Sequence, residues 1–480
     1  MVSPTWLVFV SVVAAVGMAA GPANAMFPWV DPFQSDRAVS PSAEVPWEAR
    51  ESLPAVPEPV VPQPVERVEP LTLPALTEFA LRNNPRTRQA WLAARAAAAG
   101  VGVEQAAWLP DVSALYRVSQ SEQVSTSGTA ESRQTRYGPS VSLSYLLIDF
   151  GARANDVEAA GYNLLVANLT HNRVLQNVVL DVEQAYYRLL GFRALVGANE
   201  LSLQNNRTAL EAAHKRRESG LATVVDVYRV ETQVAQAQLA LTRSQGELEK
   251  AKGQLAAVVG VPVDTTLAVQ TEFSPPPVHA LTESMADVLT RAKASRPDLI
   301  AAEARARAAR STADAETRSA LPWIDLTADT GVTAFTNDRP TVNFYSLSLN
   351  LRIPLFTGFR NTYSIRQARE QAEEAAAARD VLTRQTELDV WQAYYNVQTA
   401  AGGISSAEAQ VKSAEQTAEA TLARYQSGHG SILDLITAQE DASTARVDRI
   451  QSYFDWFTAL AEFNYAVGVG DPSAPETAAP

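Results

Sequence analysis

The sequence contains no cysteine at all, so no disulfide framework, thiolate metal site, cysteine nucleophile or lipid attached through an N-terminal cysteine is available to it. Four scattered histidines, three of them His214, His279 and His429 in unrelated contexts, do not make a zinc cluster. Basic residues are outnumbered 40 to 53, and a net charge of −13 withholds the basic footprint that nucleic-acid binding needs. GxSxG, HExxH and Walker-type loops do not occur, which leaves no catalytic motif to build on. After Ala25 no stretch of about 18 apolar residues occurs, so a membrane crossing by the mature chain would not use hydrophobic helices. No metal or cofactor is expected.

The beginning of the chain differs from the rest. Trp6 to Ala20 is almost wholly apolar and Ala23-Asn24-Ala25 is a small-x-small cleavage site, so residues 1–25 are expected to be a secretory signal. Residues 26–70 form a Pro-rich arm, with nine prolines between Pro41 and Pro74, that favours extended polyproline geometry over a packed core. Residues 471–480 are expected to be a disordered tail.

Between these ends the chain is written twice. Leu180-Asp-Val-Glu-Gln-Ala-Tyr-Tyr187 returns as Leu388-Asp-Val-Trp-Gln-Ala-Tyr-Tyr395, seven of eight residues identical at an offset of 208. The same offset joins Ser219-Gly220 to Ser427-Gly428, Asp226 to Asp434 and Gly260 to Gly468, while Leu109-Pro110 pairs with Leu321-Pro322 at an offset of 212. The four-residue difference assigns a loop insertion to copy one. Repeat one is set at 71–270 and repeat two at 271–470, each reading helix, β-hairpin, long helices.

In each copy a helix, about 85–109 or 297–321, leads into strands expected from Val112 and from Ile324. Polar loops around Ser125 to Arg133 and Asn337 to Arg339 close the hairpins. Tyr345, Leu347, Leu349, Leu351 and Ile353 alternate with Phe344, Ser346, Ser348, Asn350 and Arg352, the pattern of a strand with one lipid-facing and one polar face. Val141, Leu143, Tyr145 and Leu147 repeat it in copy one. Four strands of ~9–11 residues suit a bilayer crossing. Trp108, Trp323, Tyr137, Phe344 and Tyr345 are candidate anchors at the lipid headgroups. Pro110, Pro322 and Pro354 mark the changes between helix and strand.

Past each hairpin the chain runs without proline from Phe150 to Val261 and from Leu355 to Asp471. Leu175, Val182, Leu189 and Val196 recur every seven residues, with Val178, Ala185 and Phe192 three places later, a coiled-coil seam. Each run breaks once, at Ser219-Gly220 and Ser427-Gly428, where glycine suits a left-handed helix end. The first helix, about 152–218, would be roughly 100 Å long at ~1.5 Å per residue. Four strands do not close a barrel, and lipid does not tolerate an open edge, so further copies of the chain must complete the sheet. Two copies or three would do so.

These features resemble the TolC family of outer-membrane efflux ducts. The resemblance rests on the duplication, the junctions Leu147-Ile-Asp-Phe-Gly151 and Leu355-Phe-Thr-Gly358, and the turns Glu218 to Asp226 and Tyr425 to Asp434. It implies an α+β membrane protein: a homotrimer whose twelve-stranded transmembrane β-barrel, four strands per chain, continues as an α-helical coiled-coil tunnel into the periplasm. It also implies a passive duct, with a periplasmic membrane-fusion adaptor and a proton-driven or ABC-type inner-membrane pump as partners. The cargo would be a small molecule or, alternatively, a protein secreted by a type I system.

By resemblance the periplasmic gate lies at Asp226, Tyr425, Asp434 and Thr437, with Tyr425 bonded to Asp226 across the coils. The family's second acidic ring position is Thr437 here and an arginine latch position is Gly430, which implies a less acidic, less tightly latched mouth. Gly220, Leu221, Gly428 and Ser431 are the candidate adaptor-docking residues. Read without the family, Asp226 and Asp434 are first-turn helix residues that complement the dipole. A secreted coiled-coil scaffold is the competing architecture, and it leaves the one-sided apolar strands unexplained.

Overall fold

The computed structural model describes residues 70–121, 134–270, 283–336 and 340–469. The expected signal segment, nearly all of the Pro-rich arm, the two polar loops, His279 and the tail lie outside the described residues.

Each copy begins with a short helix that the sequence reading passed over. In copy one α1 (Leu73–Asn83) is capped by Thr72 and followed by α2 (Pro85–Ala106), with Asn84 capping α2 and a proline at its first turn. Strands β1 (Asp111–Ser121) and β2 (Gln134–Ile148) follow, then α3 (Ala152–Glu218) and α4 (Val224–Val259). Copy two repeats the order as α5 (Met285–Ser295), α6 (Pro297–Ser319), β3 (Trp323–Phe335), β4 (Val342–Arg352), α7 (Arg360–Gln426) and α8 (Ile432–Val467). The copies keep length to the residue: α3 and α7 have 67 residues each, α4 and α8 have 36.

The strands form one antiparallel sheet in the order β1-β2-β3-β4, so the two hairpins join through β2 and β3. Directly paired residues share a face. One row across the sheet reads Val112, Leu143, Ala328, Leu347, and the neighbouring row on the other face reads Ser113, Ser142, Asp329, Ser346. The expected alternation therefore extends over all four strands. On the apolar face Tyr345 is 88 % exposed and Leu347 70 %, with Leu349 and Leu351 close behind. Polar partners on the opposite face bond to one another: Ser113 to Ser142 at 2.8 Å and Asn350 Nδ2 to Asp325 at 2.9 Å.

Three expectations need correction. Ile353 lies one residue beyond β4. Phe344 belongs to the polar face, because it alternates with Tyr345, and its ring lies over Gly331, where a Cβ would come within 2.9 Å of it. Trp108 is also no simple headgroup anchor, since it lies under the Arg153 guanidinium at 4.3 Å.

The seam packs as the heptads require. Val178, Val182, Ala185 and Leu189 are buried with Leu255, Val259 and residues of α1, while Leu175, Phe192 and Val196 are only half-buried. In copy two Val390, Ala393, Tyr394 and Val397 take the equivalent places against Trp456, Phe463, Val467 and α5.

Candidate functional site

At the sheet end each long helix starts from two successive left-handed residues, Phe150 (φ 53°) with Gly151 (95°) and Gly358 (64°) with Phe359 (63°). The order of phenylalanine and glycine is reversed between copies, and in each the phenylalanine adopts a conformation disfavoured for a bulky residue. In copy one Asp149 accepts hydrogen bonds from the Gly151 and Arg153 amides and pairs with Arg153 Nε at 3.0 Å. Arg153 also donates to the carbonyls of Ala107 (2.9 Å) and Leu147 (3.4 Å). This buried pair ties α2, β2 and α3 together where sheet becomes helix.

At the far end the two turns are built alike. Leu221 N bonds back to Arg216 O at 2.8 Å and His429 N to Arg424 O at 2.9 Å, closing each helix through a left-handed glycine, Gly220 (φ 73°) or Gly428 (89°). Thr223 then caps α4 and Ser431 caps α8, accepting from the amides of Asp226 and Asp434. Beneath the turns Ala209, Ala213, Val227, Val230, Tyr425, Ile432, Leu435 and Ile436 make one buried cluster that joins all four long helices. Gly220, Leu221, Gly428, Ser431, Asp434 and Thr437 are exposed at the tip, together with Val224, Val225, Tyr228 and Leu433.

The hydrogen bond expected between Tyr425 and Asp226 is not made in this chain. The Asp226 carboxylate accepts from both the amide and the hydroxyl of Thr223, each at 2.8 Å, and these bonds hold its pKa below the usual carboxylate value. The Tyr425 hydroxyl is buried without a hydrogen-bond partner, and that burial, with Asp226 nearby, raises its pKa. The capping box competes better because it is local: Asp226 lies three residues from Thr223, whereas Tyr425 must be brought from the other copy.

Sequence reasoning missed the residue that does bridge the turns. Arg216, in the last turn of α3, donates through Nη1 to Tyr425 O at 2.6 Å and to Gly430 O at 3.4 Å, and through Nη2 to Leu221 O at 3.4 Å. Its guanidinium carbon lies 4.5 Å from the centroid of the Tyr425 ring. The signal that could have found it is the repeat itself, since Arg216 and Arg424 are equivalent at the 208 offset.

Among the described residues no group of three or more His, Asp or Glu is placed to hold a metal ion, and no helix is long and apolar enough to cross a membrane.

Comparison with known proteins agrees with this architecture. A family model described as outer membrane efflux protein matches residues 76–261 and 288–469, one span in each copy. Protein CyaE of Bordetella pertussis is 29 % identical over 392 residues, covering 80 % of this chain and 81 % of its own length. The pyoverdine export outer membrane protein OpmQ of Pseudomonas putida is 24 % identical over 420 residues, covering 83 % and 86 %. Among solved structures, the outer membrane protein VceC of Vibrio cholerae superposes with a TM-score of 0.72 at 22 % identity, over 82 % of this chain and 96 % of that one. With both copies matched and the barrel-sheet-plus-helix fold shared, the chain belongs to the outer membrane efflux protein family, that of TolC, whose members are channels of the Gram-negative outer membrane.

Proposed function

We propose that the chain is the passive exit duct of a tripartite export system. Three copies close twelve strands into one transmembrane barrel, and their long helices continue it as a tunnel through the periplasm. The observation that carries this reading is the sheet order: among the described residues β1 and β4 each have one edge without a partner, beside an apolar face whose β1 and β4 side chains are exposed. Unpaired edges are not tolerated in lipid, so the same edges of other copies must satisfy them.

In this reading the two helix turns form the periplasmic mouth. Gly220, Leu221, Gly428 and Ser431 meet a membrane-fusion adaptor, which links the duct to an inner-membrane pump of the proton-driven or ABC type. Asp226, Tyr425, Asp434 and Thr437 line the gate, and three copies of Asp434 around the axis would favour cations. Small-molecule efflux is the favoured cargo class, supported by relatives such as OpmQ, whose name states pyoverdine export. A protein secreted by a type I system is the alternative.

Two experiments test this. Leu349→Asp or Leu351→Asp on the apolar face should abolish assembly into the outer membrane; normal assembly would leave a coiled-coil scaffold as the better reading. Deleting the gene and comparing the proteins of the culture medium by quantitative mass spectrometry tests the cargo. An unchanged medium with new sensitivity to toxic compounds fits small-molecule efflux, and the loss of one or two large proteins would replace it with protein secretion.

A further inference from the structure

The resemblance places the latch of the mouth on Tyr425, Asp226 and an arginine at position 430. None of these groups is available here. Asp226 is engaged by Thr223, the Tyr425 hydroxyl has no partner, and position 430 is glycine. Arg216 bridges the turns instead, from the opposite coil. Its acceptors in the second turn are main-chain carbonyls, Tyr425 O in the last turn of α7 and Gly430 O in the loop just before the Ser431 cap. Gly430 fits this arrangement: a Cβ there would lie 3.1 Å from the Tyr425 nitrogen and 3.3 Å from the Arg424 carbonyl carbon. A side chain there would make the end of α7, which carries the Tyr425 carbonyl, give by a few tenths of an ångström. The bridge is also one-directional. Arg424, the equivalent residue of copy two, is exposed and makes no hydrogen bond or ion pair to the first turn.

We propose that Arg216 is the latch of this chain: it locks the turn of copy one and the turn of copy two into one body, and the second turn moves outward only when Arg216 releases the Tyr425 and Gly430 carbonyls. The proposal rests on the reading of the tip as the channel mouth. Because the acceptors are backbone atoms, no side-chain substitution at Tyr425 or Asp226 removes the latch, which separates it from one built on the Tyr425 hydroxyl.

Hydrogen exchange read by mass spectrometry on the full-length assembled protein in detergent tests the latch, and single-channel conductance of the same protein in planar bilayers tests its consequence. Arg216→Ala should speed exchange in peptides covering residues 424–436 by roughly tenfold and raise conductance. Tyr425→Phe keeps the backbone acceptors of Arg216 and should leave the exchange rate unchanged. Arg217→Ala removes an equal charge from the same helix end and should leave both exchange and conductance unchanged. Should Arg216→Ala fail to assemble, Arg216→Lys keeps the charge but not the fork and should give an intermediate acceleration. Unchanged exchange in the Arg216 variants, or equal acceleration by Arg217→Ala, would overturn the latch, the latter by showing a helix-dipole effect. Faster exchange with unchanged conductance would overturn the gating role and place the error in reading the tip as the mouth.

Discussion

The two copies agree in the lengths of their long helices and disagree in how they are pinned. At the middle of copy one, Asn84 caps α2 and donates to Val258 O of α4 at 2.9 Å, while an exposed pair, Arg86 with Asp181 at 3.0 Å, joins α2 to α3. At the equivalent point of copy two, Arg296 reaches the matching carbonyl, Ala466 O, and grips Asp298 with two bonds of 3.0 and 2.5 Å. Arg173 then crosses from copy one to Asp298 at 3.5 Å and lies 3.7 Å from the Tyr465 ring centroid. Its own equivalent in copy two, Val381, is exposed. At the sheet end the weight is reversed: copy one has the buried Asp149–Arg153 pair, and copy two has Thr357 and Asn361 in those places. Duplication has preserved the turn glycines Gly220 and Gly428, the helix-ending Gly260 and Gly468, the Thr223 and Ser431 caps and the seam. The charges have diverged, at 149 and 357, 153 and 361, 173 and 381, and 84 and 296.

Four comparisons sharpen that contrast, the largest effect first. Arg153→Met leaves Asp149 buried and unpaired and should lower stability by about 3–5 kcal/mol, read by thermal or denaturant unfolding. Thr357→Ala at the matching site should stay within about 0.5 kcal/mol. Arg296→Met should cost about 3 kcal/mol, whereas Asn84→Ala, which loses a cap and one hydrogen bond, should cost about 1–2 kcal/mol; equal losses would break the asymmetry. Acid should reach the centre of copy two through Asp298. Burial alone would raise the pKa of Asp298, but its bonds to Arg296 and the charge of Arg173 outweigh this and lower it. The stability it contributes is therefore present above the unfolded carboxylate pKa of about 3.9 and lost as pH falls through the lower folded value. Asp298→Asn should flatten that acid limb of the unfolding midpoint against pH. The smallest effect is expected for Arg424→Ala, within about 0.5 kcal/mol and without change in exchange at the turns.

Much of this architecture was legible because it is periodic or repeated. The α3 boundaries follow from the junction and turn glycines, and the apolar face of the sheet from strict alternation. Residues acting over short separations were also accessible, as with Asp226 and Asp434 in first helical turns. What escaped were contacts that the fold closes over long separations. Arg216 meets Tyr425 across 209 residues and Arg296 meets Ala466 across 170. Neither arginine breaks a pattern in its own helix, since basic residues at a helix C-terminus are ordinary. The Tyr425–Asp226 bond failed for the related reason that a capping threonine three residues away claimed the acceptor first. Phe344 shows the limit of composition: its position in the alternation already assigned it to the polar face, against its aromatic character.

The matched helices, 67 residues in α3 and α7 and 36 in α4 and α8, act as a ruler. One added heptad in α3 alone would move its turn about 10.5 Å along the axis, carrying Arg216 out of reach of its two carbonyls and splitting the cluster shared by four helices. The depth of the channel can therefore change only by paired insertions in both copies, and in both arms of each. A chain assembled this way sets its span in whole, simultaneous steps.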